Sequence, residues 1–311
     1  MTLDVAILGA MAAAMLTAAT PLLFAALGEL VTERAGVLNL GAEGMMLAGA
    51  VAGFAASSAA GGDAVIGSLA AMAAGAGMAL LFGVLALTLL ANQVASGLAL
   101  TLFGVGLSAL AGQGYVGHPL EKPAALAIPG LSNLPFIGPA LFAHDGLVYL
   151  ALALVPATHF FLTRSRWGLV LRAVGENHHA AHALGYSVIK VRYAATLYGG
   201  ALAGLGGAYL SLVYTPMWTE NMTAGRGWIA LALVVFAAWS PSRTLLGALL
   251  FGGVTIAQLH AQGAGLAVPS QLLAMLPYLA TIVVLVVISR DAARIRLNAP
   301  ACLGKPFHPD H

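Results

Sequence analysis

Apolar residues fall in nine blocks along this chain, at about 5–29, 36–58, 64–90, 95–112, 146–163, 193–213, 227–239, 244–262 and 270–289. Roughly 20 apolar residues wound as an α-helix cross the hydrocarbon core of a bilayer. The pattern predicts an all-α polytopic membrane protein with about 8–10 transmembrane helices, some of them broken or re-entrant. Pro21 and the glycines at 28, 36, 41 and 44 interrupt the first two blocks. A helix break is expected there, at a depth where irregular backbone survives only if protein or a wet cavity covers it. Two polar breaks are long: 113–145, rich in Pro and Gly, and 164–192, rich in Arg and His. The transmembrane domain is read as 1–290, and 291–311 as a short polar cytoplasmic tail.

Composition agrees. Of 311 residues, 60% are hydrophobic and only 8% charged, against about a quarter charged in soluble domains. A net charge of +2 gives no case for a nucleic-acid partner. The single cysteine, Cys302, permits neither an internal disulfide nor a Cys-rich metal site. The first base is Arg34, so the first block lacks the basic start of a signal peptide and is expected to be retained as a helix. Bases gather in the 164–192 loop (Arg164, Arg166, Arg172, Lys190, Arg192) and in the tail (Arg290, Arg294, Arg296, Lys305). The positive-inside rule places both on the cytoplasmic side and the N-terminus outside. In 193–213, Gly200, Gly204 and Ala208, and Gly199, Ala203 and Gly207, recur every four residues, the spacing of close helix packing in lipid.

Polar groups enter the apolar blocks in three places. The stretch "GELVTERAGVLNLGAEGMML", 28–47, holds Glu29, Glu33, Arg34, Asn39 and Glu43. Glu29 and Glu33 share a helix face, and Arg34 or a neighbouring segment is expected to offset them. Asn39 and Glu43 lie deeper and are expected to be buried. In 91–109, Asn92, Gln93, Ser96, Thr101 and Ser108 interrupt a helix. An unpartnered buried amide or hydroxyl costs about 1–3 kcal/mol, so helix–helix bonds or a polar solute should satisfy them. In 214–231, Trp218, Glu220, Asn221, Thr223, Arg226 and Trp228 cluster. A helix starting near Gly227 would aim its positive end at this cluster, where Glu220 or a solute oxygen could sit; the alternative is an aromatic anchor at the membrane edge. "ERAGVLNLGAEGMMLAGAVAGFAA" and "TAGRGWIALALVVFAAW" both run from charge and glycine into an apolar helix, as in paired inverted repeats with broken helices. The candidate translocation residues are thus Asn39, Glu43, Asn92, Gln93, Ser96, Thr101, Glu220, Asn221, Thr223 and Trp228.

The loop "RSRWGLVLRAVGENHHAAHALGYSVIKVR" has the apolar spacing of a short amphipathic helix outside the membrane, able to dock on a partner or the bilayer surface. His178 and His182 are four apart, but no Cys or acid stands at matching spacing, so no metal site is assigned. No nucleophile–base pair, phosphate loop or pair of catalytic acids is present, which argues against an enzyme.

"HAAHALG" resembles the coupling motif of ABC importer permeases, Glu-Ala-Ala, three residues, then Gly, with His179 in place of the Glu, followed by Ala180, Ala181 and Gly185. "WGLVLRAVGEN" resembles the version found in the branch of ribose-type and branched-chain amino-acid permeases. "ERAGVLNLGAEGMML", "NQVASGLALTLFG" and "ENMTAGRGWIALAL" are similar to permeases of nucleoside or simple-sugar importers, more to the nucleoside and purine group. The resemblance implies one half of a two-permease core in the bacterial inner membrane, paired with a second, related permease. It also implies a separate ATPase subunit holding ATP and Mg, and an extracytoplasmic binding protein. Arg172, Gly175, Glu176, His179, Ala180, Ala181 and Gly185 would form the ATPase-coupling segment. The expected solute is a nucleoside or purine base, with a simple sugar as the alternative. A stand-alone ion-coupled transporter using Glu29, Glu33 or Glu43 is the reading from another class.

Overall fold

The computed structural model describes residues 2–132, 134–263, 269–289 and 298–308. In hydrocarbon the backbone has to bond to itself, so each apolar block winds into a helix. These are α1 (Thr2–Arg34), α2 (Ala42–Ala59), α3 (Ala64–Gly83) and α4 (Gln93–Gly112). After the 113–145 break come α6 (Gly146–Arg164), α9 (Val188–Tyr209), α10 (Arg226–Phe236), α11 (Pro241–Gly263) and α12 (Ser270–Ser289). π-helical turns, Val84–Thr88 and Leu210–Tyr214, extend α3 and α9. Among the described residues, six helices are long and apolar enough to cross a membrane. At 11 residues, α10 is about 16 Å long and spans only half of one.

The 113–145 segment folds as a lid over one face. It contains a 3-10 turn (Gln113–Tyr115), α5 (Ile137–Leu141), and strands β1 (Leu126–Ala127) and β2 (Ala143–His144), paired antiparallel with Leu126 opposite His144. Asp145 then starts α6, its carboxylate accepting the N–H groups of Leu147 and Val148 at 3.0 and 3.1 Å. The opposite face carries the end of α1, the start of α9, and the 164–192 loop, which is two helices rather than one: α7 (Arg166–Glu176) and α8 (His178–Ala183). They part at Asn177, whose side chain accepts the Ala180 N–H at 3.0 Å.

α9 is the central post: 83% of its spanning window is buried, against 28% for α6. Its small residues serve three neighbours at once. Gly199 meets Gly28 of α1, Gly200 meets Gly75 of α3, and Gly204 lies against Gly49 of α2 and Gly75. A Cβ on Gly204 would overlap the Ala71 carbonyl. α4 joins α2 in the same way, through Gly97 against Gly41 and Gly104 against Gly44.

α1 does not break at Pro21 or Gly28. Thr17 and Thr20 donate to carbonyls one turn back, at 3.0 and 2.8 Å, within an otherwise continuous helix. The break expected within 28–47 is confined to 35–41, with Gly36 at φ +84°.

Candidate functional site

The turn at 35–41 climbs back along α1 instead of leaving the molecule. The Asn39 N–H donates to Glu29 Oε1 at 3.2 Å. Glu29 lies five residues before the end of α1, which at 1.5 Å per residue is about 7 Å inward. α2 therefore begins below the surface. The 215–225 segment enters from the opposite face and turns through left-handed backbone at Asn221, Ala224 and Gly225 (φ 53°, 47° and 81°) before α10 starts. The two helix starts meet at Glu43. One oxygen of its carboxylate accepts the Thr223 hydroxyl at 2.5 Å and the Gly225 N–H at 2.8 Å; the other accepts the Gly227 N–H at 2.6 Å. Glu43 is also in the first turn of α2, so one carboxylate faces two positive helix ends. A helix start near Gly227 does hold an acid, but that acid is Glu43; Glu220 is exposed.

Of the two partners expected for Glu29 and Glu33, neighbouring segments meet them and Arg34 does not. Glu33 Oε2 accepts the Trp239 indole N–H at 2.5 Å. Arg34 turns away from both acids and donates to the carbonyls of Asn298 and Trp239, each at 3.0 Å. The polar groups of α4 also bond within the protein. Gln93 Oε1 accepts the Leu38 N–H at 2.8 Å, and Thr101 donates to the Leu40 carbonyl at 3.1 Å, so together they hold the 35–41 turn. Asn39 accepts the Gly41 N–H at 3.0 Å. Ser96 is buried beside Gly97. Asn92 is exposed and caps α4 through the Ala95 N–H at 3.0 Å. Glu220, Asn221 and Trp228 are exposed, whereas Thr223 is fully buried.

On the other face, Val170, Leu171 and Val174 make α7 amphipathic and are buried, while Trp167 and Leu169 remain exposed. Gly175 lies directly on the Arg34 carbonyl, where a side chain would overlap it. No ion pair joins Arg172 to Glu176 among the described residues; both lie close enough to Arg34 to act on its charge. Ala181 is buried against Val174, Val188 and Phe307, while His179 and Ala180 are exposed. Gly185, at φ +86°, ends α8: its N–H donates to the His182 carbonyl at 2.8 Å and the Tyr186 N–H to Ala181 at 3.1 Å, the paired bonds of a Schellman cap.

What the sequence missed is the chain end. Residues 298–308 fold back over this face. The Cys302 N–H donates to the Gly175 carbonyl at 2.9 Å, and the Gly304 N–H to Gly36 at 3.2 Å. Arg192, 2% exposed, donates to the carbonyls of Ala35 and Lys305 at 3.3 and 2.9 Å and to His178 Nδ1 at 3.0 Å. Phe307 packs among His178, His179 and His182, with ring centroids 5.3, 5.8 and 5.4 Å away. Burial, aided by the Arg192 charge, pushes the His178 imidazole down to about 4. The pairing of His178 with an arginine and a phenylalanine uses the ring that the i, i+4 spacing offered to a metal. The only sequence signal for this strap was one aromatic, Phe307, in a polar tail. Arg290, Arg294 and Arg296 lie outside the described residues.

A family model described as the permease component of the branched-chain amino acid transport system matches residues 11–288. The chain belongs to this family of ABC importer permeases. The permease is the membrane component and has no catalytic role of its own. It is 43% identical to a Haloferax volcanii protein named "Putative glucose ABC transporter permease protein TsgC13", over 94% of this chain and 95% of the relative. It is 34% identical to a nucleoside ABC transporter permease of Lactococcus lactis, over 87% and 89%. It is 32% identical to a guanosine ABC transporter permease of Bacillus subtilis, over 97% and 98%. A second permease also matches in Haloferax volcanii, a glucose ABC transporter permease at 31% identity over 76% of this chain and 66% of its own length. No solved structure gives a significant match.

Proposed function

We propose that this permease forms half of the translocation pathway for a simple sugar, with glucose-like hexoses as the substrate class. The observation that carries this is the 43% identity, across nearly the whole of both chains, to the relative whose name assigns it to glucose as a putative permease, against 34% and 32% for the nucleoside and guanosine permeases. The purine preference expected from the motifs therefore gives way to its sugar alternative. A neutral, hydroxyl-rich solute also suits the interior. Glu43, the acid at the meeting of the half-helices, is occupied by three donors. The groups left open nearby are Trp228, 37% exposed at the start of α10, and the exposed Glu220 and Asn221 at its entrance. These three are the proposed solute contacts. Asn39, Glu43, Gln93, Thr101 and Thr223 would act by fixing the half-helices around the path.

The partners follow from the same reading: an ATPase subunit carrying ATP and Mg, a second and different permease, and an extracytoplasmic binding protein. The presence of two matching permeases in one organism supports a heterodimeric core. Arg164, Arg166, Arg172, Lys190, Arg192 and Lys305 share one face with α7 and α8, while Lys122 is on the lid side, which supports a cytoplasmic coupling face by the basic-residue rule. His179, Ala180 and Leu184 are exposed there for the ATPase cleft.

The test is uptake into proteoliposomes holding the full transporter with its binding protein. ATP-dependent uptake of labelled glucose, with little competition by guanosine, is expected; the reverse preference would overturn the sugar assignment. Uptake without the ATPase, abolished by a proton uncoupler, would overturn the ABC mechanism. Gly185→Leu should leave the complex assembled and lower uptake per ATP hydrolysed, because its left-handed backbone disfavours any side chain.

A further inference from the structure

Arg192 sits where three segments distant in the chain meet. It lies one turn into α9 and is 2% exposed. Each guanidinium nitrogen donates to a different segment. Nε reaches the Ala35 carbonyl at the 35–41 turn (3.3 Å), Nη1 the Lys305 carbonyl of the strap (2.9 Å) and Nη2 the His178 Nδ1 of α8 (3.0 Å). These acceptors are neutral, so none of them offsets the costly desolvation of the cation with an opposite charge. What an arginine supplies here is direction: a planar fork with donors at fixed angles, where lysine has a single swivelling ammonium.

Gly36 marks the same junction from the other side. A Cβ there would lie 3.0 Å from Arg192 Nη2, 3.2 Å from the Cys302 carbonyl oxygen and 3.4 Å from the Gly175 Cα at the end of α7. The strap is bonded along its length. Arg34 donates to the Asn298 carbonyl, the Cys302 N–H to Gly175 and the Gly304 N–H to Gly36, and Phe307 packs among the histidines of α8. From Gly36 the chain runs through the turn to Ala42, where α2 begins, and Glu43 ties that start to α10. α8, by contrast, has a bend on each side: Asn177 parts it from α7, and Gly185 turns left-handed before α9. Without a cross-tie, a push on α8 would be absorbed at these two bends.

We propose that Arg192 is a positioning residue for coupling: with the 298–308 strap it forms a joint that carries movement of α7 and α8 to the 35–41 turn, and so to both half-helices. The inference rests on the reading of α7 and α8 as the segment held by the ATPase.

The test uses the assembled transporter, with its ATPase, second permease and binding protein, in proteoliposomes. Uptake of labelled glucose or guanosine, whichever the parent takes up, is divided by ATP hydrolysed. Arg192→Met should lower this ratio about tenfold. Arg192→Lys should fail to restore it, although it restores the charge. A chain ended after Pro300 loses no membrane helix and should lower the ratio to a similar degree; it decides the matter if the Arg192 variants do not assemble. A parent ratio in Arg192→Lys, or in assembled transporter lacking the residues after Pro300, would overturn the joint. Ala180 is exposed, so Ala180→Cys in a Cys302→Ser background tests the underlying reading separately, and its cross-linking to the ATPase is expected. Absence of that cross-link would overturn the coupling face and this inference with it. Cross-linking together with a parent ratio would overturn the joint alone.

Discussion

Glu43→Ala removes the acceptor at which two half-helices meet. Three donors lose their partner: the Thr223 hydroxyl and the N–H groups of Gly225 and Gly227. Glu43 is 4% exposed, so water cannot readily replace the carboxylate. Each orphaned buried donor costs about 1–3 kcal/mol, and loss of the anion at a helix start adds about 0.5–1 kcal/mol. Allowing for relaxation around the smaller side chain, the expected loss is about 4 kcal/mol, a large part of the ~5–15 kcal/mol that holds a typical domain together. Glu43→Gln keeps one acceptor but turns an NH₂ toward a backbone donor, so about 2 kcal/mol is expected. The assay is denaturant unfolding in detergent micelles, followed by tryptophan fluorescence and combined with Thr223→Val in a double-mutant cycle. A coupling of about 1–2 kcal/mol is expected for residues in direct contact. The reasoning fails if Glu43→Ala unfolds like the parent while transport is abolished. That outcome would make Glu43 a solute contact instead of a clip between helices.

Phe307→Ala should free the strap, at a cost of about 2–3 kcal/mol because exposed His179 and His182 rim the site; hydrogen exchange at 175–185 should rise, and unchanged exchange would refute the strap. His178 is neutral in the fold down to about 4, against an ordinary 6.5. The unfolded chain thus takes up a proton first, so stability is complete above pH 6.5 and declines as pH falls from 6.5 to 4. Melting curves of His178→Asn should lack that part of the decline. Gly204→Leu should prevent folding because α3 occupies the space, whereas Gly106→Leu, with nothing within 4 Å, should not; comparing yields of folded protein in membranes tests this.

Much of the architecture was legible in the residues. All nine apolar blocks became helices because backbone in lipid has no other way to satisfy itself. The small-residue stripe of α9 became the packing seam, since only glycine lets three backbones approach one helix so closely. The echo between the two stretches that run from charge and glycine into α2 and α10 marked two interrupted entries. The 164–192 spacing marked an amphipathic segment off the bundle, although Asn177 splits it by capping α8 with its own side chain.

Pairing across the chain was decided only by the tertiary structure. Glu43 finds Thr223 at a separation of 180 residues, and Glu33 finds Trp239 at 206. A carboxylate's partner depends on which helix starts the fold brings to it, and periodicity carries no record of that. Arg34 looked like the natural counter-charge to its neighbours, yet helix geometry points it toward the strap and the carbonyls of Trp239 and Asn298. The strap itself bonds through backbone groups common to every residue, at Cys302, Gly304 and Lys305. Side-chain identity determined which segments enter the membrane; backbone donors and acceptors, meeting only after the helices packed, determined what holds its two half-helices and the α7–α8 face in place.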